Sequence, residues 1–421
     1  MQTAGRRQRA TGGGDSVFDD IRVLELTGVI GQQCGKLFAD MGADVIRVEP
    51  PEGAEARQVG PYLADLADPN RSLSFWHHNT SKRSITLDLQ SPSGADIFRR
   101  LVAGADVLVE DGPPGALAAL GLGYEDLRLL LPSLVMVSIT PFGQDGPYRD
   151  FKSSDLVSLA LGGPLWSCGY DDHDLPPIRP YDGAAYHIAS HYAFLGAVAA
   201  LVMRQATRDG QYIDVSMHEA CHDTTEGAMP TYYMGGRRVQ RQTARHAAPA
   251  PTVPVCFACA DGKWIFTRIP GESPAWKKLV DWMDESGMAV DLRDERFDHP
   301  AVRRDEMGHI TGVLEAFCAT HAAEELYHGA QQRGMVWGTV RSPDEIVEDQ
   351  HLRARGFFVD LEHPELGRSF EYAGAPYQFS ETPWALRRRA PLLGEHNQEI
   401  LCDELGFAPE ELVALREGGV I

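Results

Sequence analysis

The chain has no obvious membrane anchor, no disulfide framework and no basic surface. Its apolar runs are all expected to stop short of the ~20 residues that a bilayer-spanning helix needs. Seven cysteines occur in 421 residues without framework spacing. A chain of this length can bury a large core without cross-links, so a reducing cytoplasm is the expected setting. Lysine and arginine total 39 against 60 aspartates and glutamates, a formal net charge of -21. Phosphate backbones require a basic surface, which excludes nucleic acid as a partner class. An anionic small ligand would need local arginine and lysine to hold it. Residues 1–16, MQTAGRRQRATGGGDS, have basic residues but no apolar segment. They read as a disordered tail, not a signal peptide. No GxSxG elbow, Walker loop, internal repeat or low-complexity run is present.

What is there has the balance of a soluble globular protein, with 43% hydrophobic and 24% charged residues. The run IRVLELT (21–27) predicts a buried strand. A glycine turn, Gly28-x-x-Gly31-x-x-x-Gly35, a helix and the strand DVIRVEP follow. This is a βαβ unit, but GxxGxxxG breaks the GxGxxG dinucleotide fingerprint, although Glu49 stands near where a ribose-binding acid would sit. A tight strand-to-helix turn near a ligand is the plainer reading. Further strands at DVLVED and LVMVSIT alternate with helices, which predicts a mostly parallel sheet. The fold class is α/β: a Rossmann-like large domain plus a smaller middle domain. The expected boundaries are 17–224 for the first part of the large domain, 225–340 for a linker and small domain, and 341–421 for a return segment. Ligands in such sheets collect at strand carboxyl ends. The loops Thr27–Gly31, Asn79–Arg83, Glu110–Gly115 and Thr140–Gly146 lie at such ends or just before strands.

The stretch from Arg179 to Leu201 predicts a central helix beginning near Asp182 and Gly183. Ala185, Ile188, Ala189, Tyr192, Gly196 and Ala199 recur at helical spacing and should form its buried face. Asp182 is either an ordinary N-cap or an anionic nucleophile held ionised by the helix N-terminus.

Other constellations read more simply as structure. His218-Glu219-x-x-His222 matches HExxH, the pattern of a zinc hydrolase. No third-ligand motif follows it, and no metal is expected. His187 and His191 read as packed or hydrogen-bonded, Trp76-His77-His78 as a packed loop, and Cys256-x-x-Cys259 as alternation along a strand.

Several runs together carry a resemblance: VLELTGVIGQQCGKLFADMGADVIRVEPPEG, NTSKRSITLDL, VSITPFGQDGPY, SSDLVSLALGG, GQYIDVSMHEA and LLGEHNQEIL. In this order they resemble the class III CoA-transferase family, over nearly the whole chain. That family includes formyl-CoA transferase, carnitine CoA-transferases and α-methylacyl-CoA racemases. The resemblance implies an interlocked dimer, homomeric or heteromeric with another family member. It also implies acyl-CoA and a carboxylic acid acceptor as substrates, with coenzyme A a substrate and no tightly bound cofactor. By resemblance, CoA contacts fall on Val29, Ile30, Arg47, Asn79, Lys82, Arg83 and the loop Phe142, Gly143, Gln144 and Gly146. Lys82 and Arg83 could equally be a solvated basic turn.

The family mechanism implies an aspartate near the start of the central helix that forms an acyl anhydride and then a CoA thioester. Glycine-loop N–H groups can hold the developing oxyanion. The matching position, ten residues before Gly196, is Tyr186, with Asp182 four residues upstream. A phenol with a reference pKa near ~10 is a poor carboxylate substitute at neutral pH. The candidate catalytic residues are therefore Asp182 and Tyr186. Asp111-Gly112-Pro113-Pro114 replaces the usual Asn-aromatic-basic run, so part of the implied CoA cradle is altered. Ser154 replaces the histidine that racemases carry before the aspartate matching Asp155. Three functions remain: CoA transfer by this chain, a non-catalytic subunit of a hetero-oligomer, and an acyl-CoA racemase or isomerase.

Overall fold

The computed structural model describes residues 16–181, 183–225 and 227–421; the expected tail at 1–16 lies almost wholly outside them. Contacts divide the chain into two units. One comprises residues 1–163, 181–224 and 351–421, the other 164–180 and 225–350.

The first unit is built on six strands: β1 (Arg22–Leu26), β2 (Asp44–Glu49), β3 (Arg83–Thr86), β4 (Val107–Glu110), β5 (Val135–Thr140) and β6 (Tyr212–Ser216). They pair in the order β3-β2-β1-β4-β5-β6, and every pairing is parallel. Val, Ile and Leu runs form these strands because both faces are covered, so no polar side is needed. On one face Leu24, Ile46, Ile85 and Leu108 pack with Phe98 and Leu101 of the helix Pro92–Val102. The same core takes Ile400, Leu401, Leu412 and Ile421 from the chain's end. The edge strand β3 is closed by that return segment. Thr86 N–H donates to Asn397 Oδ1 at 2.9 Å, and His396 N–H to Ser84 O at 2.9 Å. A paired edge cannot template aggregation.

Four helices bear on the site: α1 (Gln32–Asp40), α2 (Asp155–Gly162), α3 (Ala184–Thr207) and α4 (Met217–Asp223). The central helix α3 buries Ala185, Ala189, Ala193, Ala197 and Ala200. This corrects the expected face: Tyr192 and Ala199 are exposed. Alanines permit close approach to α1 and the sheet, so the smallest side chains face inward, not the largest. A second correction concerns length. This helix is long and apolar enough, by composition, to cross a membrane. Its alanine face is instead packed within the first unit.

The second unit has a three-stranded antiparallel sheet, Cys256–Ala258, Trp264–Phe266 and Gly338–Thr339. Around it lie the helices Ser273–Glu285, Met307–Cys318 and Ala323–Gln332. Its core holds Trp276, Met283, Phe297, Phe317 and Trp337. Residues 164–180, expected in the large domain, group here because Trp166 Nε1 donates to Val239 O at 2.7 Å and Asp171 pairs with Arg245. The segment expected as a linker contains the helix Ala228–Gly235 and a small hairpin, Gln240–Gln242 with Arg245–Ala248.

Candidate active site

The sheet reverses its winding between β1 and β4, and loops from both strands meet there. The glycine turn Gly28–Gly31 leaves β1 and opens α1. Asp111 follows β4, and its carboxylate binds the turn: Oδ1 accepts from Gly28 N–H at 2.7 Å, and Oδ2 from Ile30 at 3.1 Å and Gly31 at 2.9 Å. A Cβ at Gly31 would lie 2.7 Å from Thr27 Cγ2, and one at Gly35 only 1.8 Å from Glu25 Oε2. The two glycines therefore let the turn and α1 lie directly on β1.

Beneath the turn runs a chain of enclosed charges. Glu25, Arg47, Asn79 and Lys82 are each 0% exposed. Arg47 Nη1 meets Glu25 Oε1 at 2.5 Å, and Arg47 Nη2 donates to Thr27 O at 2.6 Å. Lys82 Nζ pairs with Glu25 Oε2 at 2.7 Å and donates to Gln32 O at 2.8 Å and Asn79 Oδ1 at 2.9 Å. Lys82 is thus not a solvated basic turn. Burial draws its ammonium down to about 8, although Glu25 opposes that shift. Further out, Glu49 is gripped by Arg57 at 2.7 and 2.8 Å. Burial alone would raise the Glu49 carboxyl, but Arg57 and Arg47 outweigh it and hold it at about 2. Arg83 stands apart, at the strands' amino edge. Its guanidinium is used by Asp44, Glu399 and Glu404.

The Phe142–Gly146 loop leaves β5 at the carboxyl edge. Gly143 and Gly146 have φ of +87° and +84°, which glycine adopts without strain. Gly143 N–H donates to Thr140 Oγ1, and Gln144 N–H to Asp214 Oδ2. Phe142 packs against Tyr148 and His218.

At the start of α3, Gly183 is the N-cap with φ +79°. Asp182 lies outside the described residues. Tyr186 occupies the first turn, and its hydroxyl accepts from Asp155 N–H at 3.0 Å. Asp155 Oδ1 accepts in turn from Ala185 N–H at 2.8 Å. The first turns of α2 and α3 therefore cap one another, through an aspartate and a tyrosine whose pairing the sequence pattern did not signal. Beside them His78 Nε2 lies 3.4 Å from His187 Nε2, and His78 Nδ1 bonds to Ser74 O at 2.8 Å. Burial drives the His78 imidazolium down to about 3. His191 is exposed. His222 Nδ1 bonds to Gly162 O and Glu219 is exposed. Among the described residues no three His, Cys, Asp or Glu side chains are grouped to hold a metal.

Two acids of the site, Asp111 and Glu110, lie in a loop that the sequence places at a strand end but carry no pattern that assigns them a role; Asp111 stands out only as a departure from a motif. Glu110 ends β4 with its Oε2 accepting from Gly112 N–H at 2.8 Å, and burial pushes its carboxyl up to about 7.

The family model of CoA-transferase family III matches residues 18–397. The chain is 36% identical to succinyl-CoA:(R)-benzylsuccinate CoA-transferase subunit BbsE of Thauera aromatica, covering 96% of this chain and 98% of that one. It is 32% identical to succinyl-CoA–D-citramalate CoA-transferase of Chloroflexus aurantiacus, again covering 96% and 98%. A crystal structure of a CAIB/BAIF family protein from Brucella suis superposes with a TM-score of 0.81 at 27% identity, over 92% of this chain and 99% of that one.

Proposed function

Because the chain belongs to CoA-transferase family III, an enzyme family of CoA transfer, we propose that it works as one half of a two-chain CoA-transferase. The pair moves CoA from an acyl-CoA thioester to a carboxylic acid, and a second family member carries the nucleophilic aspartate. The observation behind this reading is Tyr186. It stands where the family resemblance implies the aspartate, and its hydroxyl is engaged by Asp155 N–H. A phenol tied to a helix N-terminus does not form an acyl anhydride at neutral pH. Attack by carboxylate splits exchange between two acids into easier acyl transfers, and that carboxylate must then come from the partner.

Two further observations support pairing. The 36% identical relative is named as a subunit. The outward side of α3 presents Tyr192, Leu195, Val202 and Met203, with Leu195 and Val202 each 62% exposed. An apolar stripe of that kind favours a protein partner. The residues named by resemblance take different parts in this reading. Ile30 and the Phe142–Gly146 loop are left to meet the ligand, whereas Val29 packs against the core around Phe75 and Trp76. Arg47, Asn79 and Lys82 spend their hydrogen bonds inside the fold and position the turn. Acyl-CoA and a carboxylic acid are the small-molecule partners.

Intact mass spectrometry after incubation with a panel of acyl-CoAs tests the proposal, with hydroxylamine in parallel. The chain alone should form no covalent adduct, whereas the co-expressed pair should carry a hydroxylamine-sensitive one on the partner. A second reading is favoured by Asp182, one helical turn before Tyr186 in sequence. If the chain alone forms an adduct that Asp182→Ala abolishes, the nucleophile is Asp182 and the enzyme is complete without a second gene product.

A further inference from the structure

We propose that Asp111 is a specificity-determining residue: its carboxylate is an internal anion that takes up the donors of the glycine turn and limits how strongly this chain accepts an anionic thioester ligand. The inference rests on the CoA-transfer reading above and adds a residue-level reason for unequal halves.

Successive backbone N–H groups that converge on one point form a concavity for an anion. Here Gly28, Ile30 and Gly31 converge at 2.7–3.1 Å on one carboxylate, delivered from the neighbouring strand across the sheet's reversal point. Those donors already hold their anion. A ligand phosphate, carboxylate or oxyanion approaching the turn meets a negative charge and no spare N–H from these three residues.

The surrounding charges do not cancel that effect. Arg47, on β2, spends its guanidinium on Glu25 and Thr27. Glu25 on β1 and Glu110 on β4 are acids, and Glu55 places an oxygen 3.9 Å from where a Gly28 Cβ would stand. Removal from water pushes the Asp111 carboxyl up to about 6, against the pull of the turn N–H groups and Arg47. The charge is therefore lost as pH falls through about 6.

Asparagine has the same shape but one acceptor oxygen. Its amide oxygen would turn to Ile30 and Gly31 and leave the NH₂ facing Gly28 donor to donor, so Asp111→Asn removes the charge and one of the three bonds. Calorimetric titration with CoA as probe compares wild type, Asp111→Asn and Asp111→Ser, with Glu110→Gln as a control for a neighbouring charge. At about pH 8 both Asp111 variants should bind CoA about tenfold tighter than wild type. At about pH 5 the wild-type carboxyl is protonated and that ratio should fall toward one. Taking the ratio cancels titration of the CoA phosphate and of the histidines, which all the proteins share. Thermal unfolding checks that each variant is folded, and Asp111→Ser serves if Asp111→Asn is not.

Equal or weaker binding by the folded variants overturns the proposal. So does a tighter binding that is the same at both pH values, since a merely structural change would not follow the charge. An equal gain in Glu110→Gln also overturns it. If no protein binds CoA at either pH, the proposal fails, while the CoA-transfer reading still stands or falls on the adduct measurement with the co-expressed pair.

Discussion

Beneath the glycine turn, Glu25, Arg47, Asn79 and Lys82 are sealed from solvent and bonded to one another from three segments: β1, β2 and the turn before β3. At the start of α3, Tyr186, His187 and His78 are half-buried and meet neighbouring helix ends through hydrogen bonds such as Asp155 N–H to the Tyr186 hydroxyl. The first region is over-determined. Removing any member strands a charge in a place without water. The second is lightly held, and its side chains can be exchanged without dismantling the fold. The difference teaches where this chain was free to depart from its family. The buried charges position the turn and tolerate little change. At the helix start a neutral phenol is held by a backbone N–H, so the proposed replacement of an aspartate by Tyr186 costs the fold little.

The comparison breaks most directly at Lys82. Lys82→Met leaves Glu25 with half its pairing in a dry interior, and should cost about 3–5 kcal/mol, measured by urea unfolding. A loss under 1 kcal/mol would mean that water reaches Glu25. Gly35→Ala should cost about 1–3 kcal/mol, because its methyl meets the Glu25 carboxylate and the chain must shift. If the lightly held region is as replaceable as it looks, Tyr186→Phe loses one hydrogen bond to Asp155 N–H and about 1 kcal/mol. Tyr186→Asp should still fold, at a cost like that of Tyr186→Phe, and gain a hydroxylamine-sensitive adduct with acyl-CoA. A properly folded Tyr186→Asp without any adduct would show that more than the nucleophile has been lost.

An effect that depends on pH is expected at Glu110. Burial raises its carboxyl to about 7, so the folded chain keeps a proton that the unfolded chain releases near its ordinary value. Stability from that proton is complete below the ordinary value and is lost as pH rises through about 7. Glu110→Gln should therefore raise the melting temperature relative to wild type at about pH 8, with the gain shrinking toward about pH 5. A gain that is equal at both pH values would place the effect in packing instead of ionisation.

Much of this was readable beforehand. The continuous Val, Ile and Leu runs could form only strands covered on both faces, and their alternation with amphipathic helices led to a parallel sheet. The glycine turn was legible because its spacing allowed a tight turn and disallowed a dinucleotide fingerprint. The buried face of α3 is legible at its start, where Ala185 and Ala189 are buried, and differs further on: Tyr192 and Ala199 are exposed, and Ala193, Ala197 and Ala200 are buried instead. The same helix exceeded the expected apolar length for a related reason: a helix packed through small residues can leave its large apolar ones outside. Lys82 and Arg83 are adjacent in sequence and looked alike. Strand alternation sends Lys82 into the interior beside Glu25 and leaves Arg83 among Asp44, Glu399 and Glu404.

By itself the sequence determined the local elements, the parallel sheet and the tyrosine at position 186, because strand and helix periods and residue identity are properties of the chain alone. Tertiary structure decided which donors each charge met. Asp111 lies some eighty residues from the turn it fills, Glu25 and Lys82 meet across α1, and Asp155 reaches the first turn of a helix thirty residues on. Hydrogen bonding is short-ranged in space and indifferent to distance along the chain, so such partners appear only once the strands are laid side by side.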